Sequence, residues 1–471
     1  MRVFFQTTGL TFAVYSTVGL AFGNIARLGK IGAVFFSAVA VLTAAGLLVR
    51  AFRNGRPAVG PVLAGIVAGI LATGLVWNTF GLLALNRAAA AAREVGMTTD
   101  HAPVDPRDAG NAAPLYLAMN DTPSMRDDRL RSTETKILTD FLDKAQAGTL
   151  KSADEPPAAS VITRHDEALA LARRAEDLPR ADWAIDWEHD PSWERPTPLH
   201  FGAVMTGRLL AVRAVLESRH GHGKEALETV RQGLLMARSF SREPLLIGPL
   251  CAMLIDIDLL RAANAVSARV SPADARARWD DLLDPAPHEE GFWIALRQEL
   301  FTDPMHFSRL RWWDVAFGKY RGERRDFFAI MPYYWPFIKL DLAAAIRSNV
   351  PFYLAIRDSI PLHRDDYVKV VDASFQRRWL IGLYAIPDYS HIREKALIHT
   401  AYLREARVGL AAAQYRRQHG RWPGAIEDLT VLSANDAKDP FSTANLVLAH
   451  VGQALTVSSV APDARSWTVK P

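Results

Sequence analysis

IGAVFFSAVAVLTAAGLLV, residues 31–49, and AVGPVLAGIVAGILATGLVWNTFGLLAL, residues 58–85, contain no charged residue. At a helical rise of about 1.5 Å per residue, each is long enough to cross the hydrocarbon of a bilayer. Lipid offers a backbone no hydrogen-bond partners, so such a run in a membrane has to be helical. Trp77 stands toward one end of the second run, where an aromatic ring suits the interface. Gly65 and Gly69, with Ala64, Ala68 and Ala72 beside them, make a small-xxx-small pair at which helix backbones can approach closely. Gly and Ala are also common in membrane helices generally, so a packing role is one of two readings.

Outward from these runs, residues 3–23 are also uncharged but carry Gln6, Thr7, Thr8, Thr11, Ser16 and Thr17. They read as a third span or as a signal peptide with Ala21-Phe22-Gly23 at cleavage-like positions. The two runs that follow directly favour the span. The strongest positive cluster is the short loop Arg50, Arg53 and Arg56. With that loop in the cytoplasm, three spans deliver the rest of the chain to the other side; Arg27 and Lys30 pull the opposite way.

No Asp or Glu occurs before Glu94. Six of the 55 basic residues lie in 1–86, which leaves 49 against 51 acidic residues beyond. The net charge of +4 therefore belongs to the membrane flanks. Nucleic-acid binding loses its basis, because phosphate neutralisation needs a concentrated cationic face. The 471 residues, 49% hydrophobic and 23% charged, suit two or three folded domains. The single cysteine, Cys251, can form neither an internal disulfide nor a Cys-based zinc site. In the run LLIGPLCAMLIDI it reads as a small buried hydrophobe.

Residues 87–110 read as a connector, Ala-rich at first and then MTTDHAPVDPRDAG. Residues 111–390 read as a helical soluble domain. Asn111 can cap a helix that has Pro114 in its first turn. Apolar periodicity predicts helices near 133–147, 160–176, 199–219, 224–239, 245–266, 272–283, 287–302 and 391–419. In the pair at 205–239, Gly221 and Ala226 fall where a tetratricopeptide hairpin wants a turn glycine and a small packing residue. Glu217 stands where that repeat has an aromatic, so the pair reads as a plain antiparallel hairpin, partly solenoid-like. The aromatic stretch FFAIMPYYWPFI is too short to span a membrane and reads as core, or as a patch on the lipid surface. Residues 391–471 read as a long helix, the turn GRWPGAIEDL, the turn KDPFS, and a β-hairpin from NLVLAHV and ALTVSSV around Gly452-Gln453.

No strong catalytic motif is present. His288-Glu289-Glu290 is followed by Phe292 where a zinc helix of the HExxH type needs its second His. Gly221-His222-Gly223-Lys224 lacks the strand, the upstream glycine and the hydroxyl of a phosphate loop. His220 and His222 read as turn residues. The one suggestive cluster is DWAIDWEHDPSWE, residues 182–194, where Asp186, Glu188, His189 and Asp190 could share a proton or hold a divalent cation. The competing reading is a solvated loop pinned by Trp183, Trp187 and Trp193. No cofactor or metal site is expected.

NAAPLY (111–116), the 205–239 hairpin with EPLLIGPL (243–250), AAAQYRRQHGRWPGAIEDL (411–429) and KDPFS (438–442) together resemble a family of membrane-anchored helical bacterial proteins. That resemblance implies the architecture and no activity. The last patches are also similar to the globular end of type II secretion pseudopilins, through Tyr415, Gly420, Arg421, Trp422, Pro423, Asp439 and Pro440. In a pseudopilin the long helix continues the membrane helix; here hundreds of residues intervene, and Ala461-Pro462-Asp463-Ala464 replaces the calcium-binding ending. The likeness implies a shared fold element and an extracytoplasmic domain.

The expectation is thus an all-α chain: transmembrane helices in 1–86, a multi-helix soluble domain, and a small C-terminal β-hairpin. Its expected role is a scaffold of the bacterial envelope, multi-pass in the cytoplasmic membrane, with lipid and envelope proteins as partners. The alternative is a membrane-bound hydrolase-like enzyme using the acidic 182–194 loop.

Overall fold

The computed structural model describes residues 5–14, 16, 46, 49, 53, 59–97, 109–178, 180–183, 201–309, 337–358, 392–442, 444–460 and 466–469. They are mostly helical. The principal helices are α1 (Val59–Glu94), α2 (Ala113–Ala118), α3 (Asp128–Ala147), α4 (Glu155–Arg164), α5 (Asp166–Glu176) and α6 (Phe201–Arg219). There follow α7 (Gly223–Ser241), α8 (Ile247–Ser267), α9 (Pro272–Trp279), α10 (Ala286–Arg309), α11 (Ile338–Asp358) and α12 (Ile392–His419). Strands β1 (Val447–Val451), β2 (Ala454–Ser458) and β3 (Trp467–Val469) form an antiparallel sheet in that order. The chain divides into two compact units: Met1–Asp100 with Leu300–Asp358 and Arg364–Asp388, and His101–Glu299 with Ser359–His363 and Tyr389–Pro471.

In the first unit, α1 runs 36 residues and continues past the apolar stretch on Ala88 to Ala92. Among the described residues it is the one helix long and apolar enough to cross a membrane. Leu63, Val67, Leu71 and Leu75, spaced one helical turn apart, are all exposed, Leu71 by 67% and Leu75 by 72%. Away from that stripe, α1 packs on α11, with the rings of Trp77 and Phe337 5.7 Å apart. Residues 5–14 are helical; most of 31–49 lies outside the described residues.

The helix α11 escapes the apolar-period reading. Asp341, Arg347, Ser348, Asn349 and Pro351 interrupt its pattern, yet Leu342, Ile346, Phe352 and Ile356 are buried. Asn349 Nδ2 donates to the Leu300 carbonyl at 2.7 Å, which satisfies an otherwise costly buried amide. Of the FFAIMPYYWPFI stretch, Phe337 and Ile338 are described, and both are buried; the remainder lies outside the described residues.

The second unit is built on the α6–α7 hairpin, with α8 packed across both helices. Gly221 makes the turn with φ of +85°, a conformation other residues adopt at a cost. Ala226 is fully buried. Glu217, which displaces the aromatic of a tetratricopeptide hairpin, accepts from Thr229 Oγ1 at 2.7 Å and Arg213 Nε at 2.8 Å. A polar tie thus replaces ring packing at that point. Gly233 leaves room for Leu259 of α8, whose side chain a Cβ there would meet at 2.4 Å. Trp279 of α9 is fully buried and donates its indole N–H to the Leu227 carbonyl at 2.9 Å.

Asn111 acts close to its expected role: its side-chain oxygen accepts from Ala113 N at 3.0 Å, although Ala112 is the residue at the N-cap. The helix expected over 160–176 is two helices, α4 and α5, broken at His165. The buried ring of His165 meets the buried Glu134 carboxylate at 3.0 Å, a contact across thirty-one residues that local periodicity cannot foresee. The C-terminal hairpin is a three-stranded sheet, because β3 pairs with β2. Leu455 and Val457 of β2 and Trp467 of β3 point inward, and Trp467 lies over Gly409 of α12. At three residues, β3 is too short to carry a readable alternation.

Candidate metal centre

The helix α8 is an apolar run that carries two aspartates, Asp256 and Asp258. Two residues apart on a helix is about 200° of rotation, so they face opposite ways. Asp258 looks toward α6 and is neutralised there: it accepts from Arg208 Nε at 2.7 Å, and Arg261 stands 3.4 Å away. Asp256, fully buried, looks instead at two histidines.

The first is His288, in the opening turn of α10. One turn later Gly291 allows α10 to lie against the end of α7; a Cβ there would sit 1.9 Å from the Ser241 carbonyl oxygen. That close approach sets the depth of His288. The second is His399, in the first two turns of α12. Beside it, Thr400 donates to Glu289 Oε1 at 2.8 Å, which ties α12 to α10.

His399 Nε2 is 2.7 Å and His288 Nδ1 3.6 Å from the same oxygen, Asp256 Oδ2. One donor atom from each of the three residues falls within 4.8 Å of the others. The imidazoles meet edge to face, 5.1 Å between centroids. His288 is 4% exposed and His399 3%. Among the described residues, neither ring nitrogen of His288 has a hydrogen-bond partner, and Asp256 Oδ1 has none.

Burial pushes the Asp256 carboxyl above the usual carboxylate range, against the opposing pull of the His399 hydrogen bond and of Arg238. Burial, assisted by the neighbouring His399, Arg238 and Arg242, holds His288 well below its ordinary value. That direction favours the neutral imidazole, the form that ligates metals. Two imidazoles and a carboxylate are a donor set that divalent first-row transition metals accept. The same atoms can also share a proton between Asp256 and His399.

Asp186, Glu188, His189 and Asp190 lie outside the described residues. Asp182, at the start of that loop, pairs with Arg180 at 3.6 Å, and its backbone N–H and carbonyl are held by Asn111. Trp183 is buried on Phe240, 4.7 Å between rings, and donates to the Ser239 carbonyl. Gly65 is buried; a Cβ on Gly69 would meet Thr8 and Thr11. Cys251 is buried, its thiol pushed up to about 12 by desolvation and the nearby Glu243. His288 stands in the HEE triplet whose missing second His argued against a metal. Its partners come from other helices, which a motif confined to one helix does not test. A cleft of about 260 Å³ lies elsewhere in the same unit, lined by Ser218, Arg219, Asn264, Arg269 and Thr468 among others, and it does not include the three residues.

No protein-family model matches the chain, nor does any curated protein or solved structure.

Proposed function

We propose that the chain is a membrane-tethered helical scaffold, with α1 crossing a bilayer and the second unit serving as an interaction module in a bacterial envelope. The observation that carries this reading is the exposed stripe Leu63, Val67, Leu71 and Leu75 on a helix that meets no acidic residue before Glu94. In water each such side chain forfeits about 1.5–3 kcal/mol of burial. In lipid the same stripe is solvated. Residues 31–49 supply a further span, and the Arg50, Arg53, Arg56 loop directs the second unit to the extracytoplasmic side. The C-terminal helix and sheet, turned at Gly420 with φ of +71° and pinned by Trp422 Nε1 to the Gln453 carbonyl, suit a pseudopilin-like element used as a docking module.

The test is an alkaline carbonate wash of membranes from cells expressing the full chain. The protein should stay in the pellet; release into the supernatant overturns the tether. Cross-linking in intact membranes, followed by purification in detergent, should then yield a complex of fixed stoichiometry. Recovery solely as an uncomplexed monomer overturns the scaffold role and leaves the tether standing.

A further inference from the structure

We propose that Asp256, His288 and His399 are the protein ligands of a divalent transition-metal ion that joins α8, α10 and α12 within the helical unit.

Three observations carry this. The donor atoms come from three separate helices and fall within 4.8 Å of one another. The His288 side chain is buried with both ring nitrogens unpartnered among the described residues, and one of them points at Asp256 from 3.6 Å. Leaving a buried polar atom unmatched costs about 1–3 kcal/mol, so such a ring calls for a ligand. The Asp256 carboxylate likewise keeps Oδ1 without a partner while Oδ2 faces both rings.

Distances agree with this chemistry. Ligands at about 2.1 Å from a tetrahedral ion lie roughly 3.4 Å from one another. The His288–Asp256 separation of 3.6 Å already fits. The His399–Asp256 separation of 2.7 Å is that of a hydrogen bond. Ligation exchanges that bond for two metal bonds, with a widening of about 0.7 Å or with Asp256 Oδ1 taking the ion.

The kind of ion follows from the donors. Calcium and magnesium take oxygen ligands, and two imidazoles do not suit them. Two imidazole nitrogens with one carboxylate oxygen suit an ion held by nitrogen–metal bonds, which means zinc, ferrous iron or their neighbours. Burial of all three residues assigns the ion a joining role, acquired as the unit folds.

The experiment uses the full chain, without an affinity tag, purified in detergent. Metal content is measured by mass spectrometry, and cobalt(II) is titrated into chelator-treated protein as a spectroscopic probe. The expected result is one ion per chain and a cobalt ligand-field spectrum that saturates at one equivalent. His288→Ala and His399→Ala should each weaken cobalt binding by at least about 100-fold, since even groups outside the coordination sphere contribute 10–100-fold. His222→Ala, in an exposed turn, should change nothing. His288→Cys should bind cobalt with an added thiolate charge-transfer band, which a purely structural histidine cannot produce. Wild-type protein that holds no stoichiometric metal and gives no cobalt spectrum overturns the proposal and leaves a hydrogen-bonded Asp–His pair. That outcome needs no variant, so a variant that fails to fold cannot obscure it.

Discussion

The helices α1 and α8 are both apolar runs, and they place their side chains in opposite ways. In α1 the large side chains Leu63, Val67, Leu71 and Leu75 face outward. In α8 only Leu254 among the large apolar residues is exposed, and the helix encloses two aspartates as well. Hydropathy along the chain identifies both as helices that avoid water. It does not say whether lipid or protein replaces that water. Lateral partners decide it: α8 has α6, α7, α3 and α12 around it, so its few polar groups must be matched inside. In α1 the stripe stays exposed.

The largest expected effect comes from exchanging the two environments. Leu259→Arg places a charge at a fully buried position of α8, against Gly233. An unpaired buried charge together with overpacking is among the few mechanisms that cost about 5 kcal/mol or more. The second unit should lose its cooperative transition in denaturant, followed by tryptophan fluorescence of the detergent-solubilised chain. A variant that unfolds at the wild-type midpoint would mean that α8 does not organise the core.

A smaller effect tests whether buried carboxylates in this unit behave as their surroundings dictate. Glu405 of α12 is 2% exposed, and burial, with Asp439 nearby, raises its pKa to about 8 from an ordinary 4.5. The folded state holds this proton across the window from 4.5 to 8, while the unfolded chain releases it near 4.5. Stability therefore falls as pH rises through that window and levels off above it, by a total on the order of 5 kcal/mol. Glu405→Gln keeps an acceptor for Ser459 N, now 2.8 Å away, and has no proton to lose. Its unfolding midpoint should fall less than the wild type's between pH 5 and pH 8. Asp256, raised by burial as well, leaves a residual slope of the same sign. Equal slopes in the two proteins would mean that Glu405 is solvated.

How much of this was legible follows from where each signal lives. The hairpin α6–α7 and the run of α8 are local, so periodicity and the Gly221 turn disclosed them to within a few residues. The helix α11 was hidden because Asp341, Asn349 and Pro351 break its apolar rhythm. The strand β3 was hidden by its length. The candidate site could not be read, since its ligands are spread over 143 residues and meet only through packing. A clue was available in LLIGPLCAMLIDIDLL: a charge inside an apolar helix needs a partner. That clue names Asp256 and Asp258 and says nothing of His288 or His399. The acidic loop at 182–194 drew attention for the opposite reason, because its carboxylates are adjacent in the chain.

The smallest expected change bears directly on α1. Leu71 is 67% exposed, so Leu71→Arg removes few protein contacts and in water would cost within about 0.5 kcal/mol. In the middle of a membrane helix the same arginine costs about 2.5–3.5 kcal/mol of insertion free energy. The two solvents thus predict different outcomes for one substitution. With glycosylation acceptors on either side of residues 59–94 in the full chain, translated into microsomes, the variant should lower the insertion equilibrium of this helix by about two orders of magnitude. Leu71→Ala, which stays apolar, should insert nearly as well as the wild type. If arginine and alanine insert alike, the stripe does not face lipid, and the contrast between α1 and α8 reduces to a difference in protein partners. If only arginine fails, the apolar face of α1 has lipid as its solvent, and the exposed leucines are satisfied where they stand.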